Sequence, residues 1–329
     1  MPEFEFEIFK KDQQQRDWPG PGRMTPPPPW RDFAAVKSRN QQEYRGRTYS
    51  PTEEDVKAIN TAMHLRRPLL LTGNPGCGKS SLAYAIAWQL KLGEVLYWPI
   101  DSQTTIRDGL YSYDAISRLR DANLHREAGG AIAADHKSIG NYLTLGPLGT
   151  ALAPRAGDDH RPRVLLIDEL DKSDIDLPND LLNVFEEGCY EIDELVRLKK
   201  LQREVELHTA YRKTEEREEV VRIIDGHVQC RVFPVVVITS NQERQFPPAF
   251  LRRCLRHHIK DADAGGLARI AEGHSLADLD GRIADFDRRR REGGLLSNDQ
   301  LLNALFLLNR CDFNDKEALV ELVMKDLKD

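Results

Sequence analysis

No apolar run in this 329-residue chain approaches the ~20 residues that cross a bilayer as a helix. The stretch from Met1 to Gln15 has no apolar core behind a basic start, so a secretory leader is not expected. Cysteine is scarce: Cys77, Cys189, Cys230, Cys254 and Cys311 lie far apart, with no C-x-x-C pair and no Cys/His cluster. That argues against a disulfide framework or a zinc site and fits a reducing compartment, so a cytoplasmic protein is expected. Basic residues are not in excess either, since 47 Lys and Arg face 53 Asp and Glu. A non-specific nucleic-acid binder shows a basic face, so nucleic acid is not the expected partner, and neither is a membrane. Internal repeats are absent.

What is present begins with an arm. Residues 1–45 include WPGPGRMTPPPPW, Trp18 to Trp30, which predicts extended, partly polyproline II chain. It reads as a tether, as a strap over the domain surface, or as a docking peptide. Order is expected from Tyr49. In SPTEEDVKAINTAMHL, Ser50 suits an N-cap, Pro51 suits N1, and acidic residues follow in the first turn, so a helix is predicted there. Apolar runs at 68–72, 94–100, 163–168 and 233–240 predict strands, with a fifth over 256–260. Helices are expected over 79–92 and through PNDLLNVFEE. This alternation predicts an α/β fold with a five-stranded parallel sheet covered on both faces. From about Asp261 the pattern is wholly helical. Three parts are therefore expected: an arm (1–45), an α/β domain (46–260) and a small helical domain (261–329).

Two motifs carry chemistry. GNPGCGKS, Gly73 to Ser80, fits G-x-x-x-x-G-K-[ST] between a strand and a helix, the context of a phosphate-binding P-loop. Gly73, Asn74, Pro75, Gly76, Cys77, Gly78, Lys79, Ser80 and the following Ser81 would form the cradle. Its backbone N–H groups and helix N-terminus would face the phosphates. Lys79 would reach the β- and γ-phosphates, and Ser80 would ligate Mg²⁺. VLLIDELDKSD then places Asp168 and Glu169 at the carboxyl end of a strand, where α/β sheets hold ligands. Asp168 would hold Mg²⁺ through water and Glu169 would polarise an attacking water; the alternative is a solvated acidic loop. Asn241 ends the strand VVVITSN and would either orient that water or cap a turn. His257 and His258 alternate along a strand and read as surface and packing residues. Arg252 and Arg253 have no acidic neighbour in sequence, and on this reading alone they are also compatible with helix-end charge.

In this order the chain resembles a AAA+ ATPase over roughly residues 45–310. The P-loop is 73–80, LLIDE is 165–169, Asn241 is sensor 1, and FPPAFLRRC is 246–254. Within that group it is most similar to the MoxR and dynein-related branch, through LGPLGTALAP and two inserts. One insert, at about 103–145, resembles a helix-2 insert. The other, at about 188–232, resembles a pre-sensor-1 insertion, with a hairpin turn at Asp225-Gly226. The resemblance implies ATP and Mg²⁺ as ligands, and a homo-oligomeric, hexameric ring. It also implies a protein client to be remodelled or assembled, a von Willebrand A-domain protein being one type. It makes Arg253 the arginine finger, with Arg252 second, aimed at the γ-phosphate of a neighbouring subunit and needing no acidic partner in its own chain. The helical domain would be the lid. The lid helix LLSNDQLLNALFLLNR starts without the sensor-2 arginine of the family pattern; Arg288 to Arg291 lie just upstream and read equally as its source or as a charged helix face. The charged stretch from Glu194 to Glu219 places Leu198, Leu201 and Val205 at helical spacing, which predicts a projecting amphipathic helix. It is either a solvated hairpin or a contact for a partner. Two other functions compete: a GTP-using, McrB-like motor subunit and a non-hydrolysing nucleotide switch. TSNQERQ lacks the signature of the first, and the presence of Glu169, Asn241 and Arg253 argues against the second.

Overall fold

Strands Leu69–Thr72, Val164–Asp168 and Val235–Ser240 are apolar on both faces, so they belong inside a parallel sheet with helical crossovers. A computed structural model contains that sheet and describes residues 4–5, 25–32, 39–127, 139–155, 159–211, 219–312 and 315–326. The elements begin with β1 (Phe4–Glu5), α1 (Arg39–Thr48), α2 (Glu53–Leu65), β2 (Leu69–Thr72), α3 (Lys79–Gln89) and β3 (Leu96–Pro99). Next come α4 (Ile106–Leu110), β4 (Tyr111–Tyr113), α5 (Ala115–Glu127), β5 (Leu143–Leu145), α6 (Pro147–Leu152), β6 (Val164–Asp168) and α7 (Asp176–Glu187). They continue with β7 (Cys189–Glu191), α8 (Asp193–Leu198), β8 (Glu204–His208), β9 (Val220–Ile224), β10 (His227–Gln229) and β11 (Val235–Ser240). The last are α9 (Pro248–Arg253), β12 (Leu255–His258), α10 (Ala264–Gly273), α11 (Arg282–Arg291), α12 (Asn298–Arg310), β13 (Cys311–Asp312) and α13 (Lys316–Val323). Among the described residues no helix is long and apolar enough to cross a membrane.

The chain divides into two compact units, one drawn from Glu53–Thr72 and Gln89–His258, the other from Met1–Thr52, Gly73–Trp88 and Ile259–Asp329. The first holds the five-stranded sheet, in the order β12-β2-β11-β6-β3, with every pair parallel. Thr72 lies opposite both Ser240 and His258, and Pro99 lies opposite Asp168. The carboxyl ends of the strands therefore share one edge.

The two inserts do not stand apart. They pair into a single six-stranded sheet, β4-β5-β8-β9-β10-β7. The first insert supplies β4 and β5, the second supplies β7 to β10, and the join is a parallel pairing of Thr144 with His208. The hairpin of β9 and β10 turns at Asp225-Gly226, both at positive φ (54° and 77°), as a two-residue type I′ turn requires. Trp98, Tyr111, Leu143, Leu207 and Ile223 share one apolar core with β6 and β11. The expected amphipathic helix over 194–219 is not there. α8 ends at Leu198, Leu201 is exposed, and Val205 is buried on β8, where alternate residues face inward. The remaining part of that stretch, 212–218, lies outside the described residues, as does 128–138 of the first insert. α2 also starts at Glu53, three residues after the expected cap, and the Ser50 hydroxyl instead accepts from Arg269 (3.4 Å).

In the second unit, α10 to α13 surround Leu267, Phe286, Leu305 and Val320. Asp263 caps α10, and Ser297 with Gln300 forms a capping box on α12. The pattern after Asp261 is not wholly helical, because β13 pairs in parallel with β1. Part of the arm is a strap over these helices. Trp30 donates Nε1–H to Asn303 (3.1 Å) and packs edge-on against Phe306 and His274. α1, which the composition does not predict, brings the Tyr44 hydroxyl to 2.6 Å from His274 Nδ1. The stretch from Trp18 to Arg23 and Met24, like residues 33–38, lies outside the described residues.

Burial lowers the His274 imidazole to about 4, so it is neutral in the folded chain and charges in the unfolded one near 6.5. The unfolded chain binds the extra proton between those values, so this contribution to stability is complete above pH 6.5 and is lost as pH falls towards 4. Urea unfolding at pH 5 and pH 7.5 should differ by about 1–2 kcal/mol through this group, and His274→Gln should flatten the difference. An unchanged slope in that variant would remove His274 as the cause.

Candidate functional site

The first candidate region, in the unit of the five-stranded sheet, is the end of β6. Val164 to Ile167 are fully buried, which carries the strand to the sheet edge and delivers Asp168 there. Thr239, buried on the neighbouring β11, donates its hydroxyl to Asp168 Oδ1 (2.7 Å) and accepts the Glu169 N–H (2.8 Å). Tyr97 on β3 donates to Asp168 Oδ2 (3.3 Å). Glu169 is held in the left-handed region, at φ 62° and ψ 45°, a strained conformation for a side chain of this kind. Its carboxylate lies 2.7 Å from Lys172 Nζ and 3.5 Å from Asn241 Nδ2. The ammonium of Lys172 is raised above its ordinary value by that bond to Glu169. Asn241 is fixed through its own backbone, because the N–H groups of Asn241 and Glu243 both donate to buried Asp171 (2.9 and 3.0 Å).

The second candidate region, in the other unit, is the loop that starts at Gly73. Gly76 is at φ 73°, and a Cβ there would come within 2.4 Å of the Ser297 Cβ. At Gly73 a Cβ would meet the Ile259 carbonyl at 2.7 Å. Only glycine fits either place. Lys79 opens α3, is buried, and donates to the carbonyls of Gly73 and Asn74 (both 2.9 Å). An ammonium has three donors, so one remains for a phosphate oxygen. Asn74 Nδ2 donates to Asp261 (2.7 Å). A loop with these glycines, opening a helix and pinning a lysine, fits a nucleotide's phosphates. Pro75, Cys77, Gly78, Ser80 and Ser81 complete the motif in chain order. Burial raises the Cys77 thiol above its usual range.

Sequence reading missed four residues here. Thr239, Asp171 and Lys172 are ordinary letters in or near the motifs, and only the register of β6 and β11 brings them together. The fourth is Arg290. Arg288 and Arg289 pair with Asp285, and Arg291 pairs with Asp287. Arg290 instead turns inward. It donates to the Leu296 carbonyl (2.7 and 2.9 Å) and to Asn298 Oδ1 (2.8 Å), and it lies over the Phe286 ring. Its Nη1 is buried with no hydrogen-bond partner among the described residues. Burial lowers its pKa from the usual guanidinium value, against the pull of Asp261 and Cys77.

Arg252 and Arg253 end α9. Contrary to the expectation, Arg253 does have an acidic partner in its own chain. Both oxygens of Glu186, 67 residues upstream on α7, accept from its guanidinium, Oε2 at 2.9 Å from Nη2. Arg252 is exposed. His257 bonds Asp55 (2.6 Å) and His258 bonds Thr72 (3.1 Å), so both serve packing between elements, as read from the sequence.

A family model described as the AAA domain of the dynein-related subfamily matches residues 68–254, more than half of the chain. No curated protein matches it.

Replacing Thr239 with valine keeps the shape but leaves the Glu169 N–H and Asp168 without their shared partner. Thr239→Val should lose about 1–3 kcal/mol of stability in denaturant titration, the cost of an unmet buried donor. Glu186→Gln, at a solvent-exposed pair, should leave the unfolding midpoint nearly unmoved.

Proposed function

The chain belongs to the dynein-related AAA family and is by that membership a AAA+ ATPase, and we propose that it hydrolyses ATP with Glu169 as the water-polarising base. The single observation that carries this reading is the Thr239 hydroxyl. It holds the Asp168 carboxylate and the Glu169 N–H at once, at the carboxyl edge of the sheet. Two carboxylates whose backbone is fixed this way have distinct tasks. Asp168 keeps its oxygens turned into the sheet edge, and Glu169 leaves its carboxylate on the surface beside Asn241. Asn241 orients the attacking water, and Lys79 holds the transferred phosphoryl group. Ser80 and Asp168 would hold Mg²⁺, which when bound supplies neutralising charge on the phosphates.

Arg290 acts with the P-loop. A buried guanidinium donor with no partner, in the electrostatic range of Cys77, suits a phosphate oxygen in place of the missing bond. Arg253 acts on the nucleotide of a neighbouring subunit. Its surface pair with Glu186 is weak enough to be exchanged for a phosphate. AAA+ proteins commonly form hexameric rings, and this chain works in such a ring, in the cytoplasm. In MoxR-like fashion it remodels or assembles a client protein, of which a von Willebrand A-domain protein is one type. The arm, the α/β domain to about residue 260 and the helical lid are its working parts.

Lys79→Ala should lose ATP binding. Glu169→Gln should retain binding, measured with a fluorescent nucleotide, while turnover stops; hydrolysis at the wild-type rate would remove Glu169 as the base. Arg290→Ala should weaken ATP binding by roughly tenfold, the value of one charge-assisted hydrogen bond. Arg253→Ala should bind ATP and lose turnover by about 10²-fold or more. Mixing it with Lys79→Ala should restore some activity, because one interface in a mixed ring then has both groups. Specific activity that does not change with dilution, together with no rescue in subunits shown to mix, would sink the trans role of Arg253.

A further inference from the structure

At the amino-terminal end of β6 lies a second polar cavity, built from arginines that the nucleotide chemistry does not use. Its walls include Arg155, Asp159, His160, Arg161, Arg163 and Arg231. Arg163 immediately precedes β6, so this cavity is one strand length, roughly 16 Å, from Asp168. It belongs to the opposite end of the sheet.

Two of these arginines are buried in a way that their partners do not explain. Arg163 is 2% exposed; its Nη1 donates to the Ala153 carbonyl and its Nη2 to Glu219 (2.5 Å), but its Nε has no partner among the described residues. Arg155 is 11% exposed; its Nη2 donates to the Leu92 carbonyl (3.2 Å), its Nη1 is 3.6 Å from Asp159, and its Nε is also buried without a partner. Buried donors are nearly always satisfied, and two orphans on neighbouring guanidiniums around one cavity demand an acceptor. Burial lowers the Arg155 pKa, and Arg163 pushes it in the same direction, against Tyr211, Asp159 and Glu219. Asp159 is occupied with Arg161, which grips it through two bonds of 2.9 Å and holds it well below the usual carboxylate range. Four guanidiniums thus face two carboxylates, Asp159 and Glu219, among the described residues.

We propose that this cavity binds a terminal phosphate group, with one oxygen inserted between Arg155 and Arg163 and the others met at the mouth by Arg161 and Arg231. The cavity, about 20 Å³, holds one oxygen-sized group. That shape admits a tetrahedral oxyanion end-on and excludes a bulky ligand. Guanidinium is the side chain best matched to phosphate oxygens. A single water would satisfy the two Nε donors but brings no charge to the two buried cations.

The test uses the full chain carrying Lys79→Ala, so that the P-loop does not report the anion. Inorganic phosphate, a phosphoserine peptide and its unphosphorylated form are titrated calorimetrically against chloride at matched ionic strength. The proposal expects saturable heat with phosphate, and the peptide arm tells whether a free or an esterified group is preferred. Arg155→Lys and the exposed Arg231→Ala should each weaken binding by about tenfold, the loss of one charge-assisted bond. Circular dichroism and P-loop nucleotide binding in the Lys79-intact versions confirm that both variants fold. Phosphate that behaves like chloride means a water-filled cavity and overturns the proposal. Binding that Arg155→Lys and Arg231→Ala leave unchanged, or that Lys79→Ala abolishes, overturns it too.

Discussion

The parallel register of β2, β11 and β6 is the constraint on which the rest depends. These strands are packed on both faces, so a shift by one would exchange the side chains between two differently shaped cores and forfeit the fit on each. With Ile238 opposite Ile167, the next residue of β11 is Thr239 and the next of β6 is Asp168. The hydroxyl then lies within 2.7 Å of the carboxylate without any loop being asked to place it. The same register sets Thr72 level with Ser240, so the chain enters the Gly73 loop from the edge where Asp168 stands. Side chains borne on strand ends inherit the rigidity of the sheet. Glu169, one residue beyond, must leave it, and its left-handed backbone is where that exit is made.

The loop half depends on a different constraint, the absence of side chains. Gly73 and Gly76 let Ile259 and Ser297 approach to distances that any Cβ would forbid. The start of α12 is thereby packed against the P-loop, and its capping box fixes the backbone of Ser297. Arg290 is held by the carbonyl of Leu296 and the amide of Asn298, the residues flanking that cap. A movement of the loop would therefore be felt at Arg290 through only two or three contacts, all within one compact unit.

Legibility in the sequence followed locality. GNPGCGKS and LLIDE encode requirements that lie within a few residues, namely glycine where φ is positive and an acid where a strand stops. The same is true of Asp225-Gly226, whose turn type is set by two backbone angles. Val205 was misleading because a spacing of three or four residues from Leu198 and Leu201 is also met by chance when a short helix runs into a strand. The strand won because β9 pairs with all five residues of β8, Glu204 to His208, and an isolated helix of that length gains little by itself. The six-stranded sheet was invisible for a stronger reason. Its two parts are separated in the chain by α6, β6 and α7, and the pairing of Thr144 with His208 leaves no mark on either stretch alone. The bond from Arg253 to Glu186 is hidden in the same way.

The four arginines of α11 show how much a helix alone can decide. Residues three and four apart share a face, so Asp285 reaches Arg288 and Arg289, and Asp287 reaches Arg291. Arg290 has Phe286 at the same offset, and its guanidinium lies 4.5 Å from the centre of that ring. Phe286 is fully buried, so the residue stacked on it is drawn inward with it. DFDRRRR therefore shares two carboxylates among three cations and turns the fourth inward. A uniform charged face would have been satisfied by solvent. This arrangement leaves one buried donor without an acceptor, which is costly in a folded chain unless an anion arrives to take it.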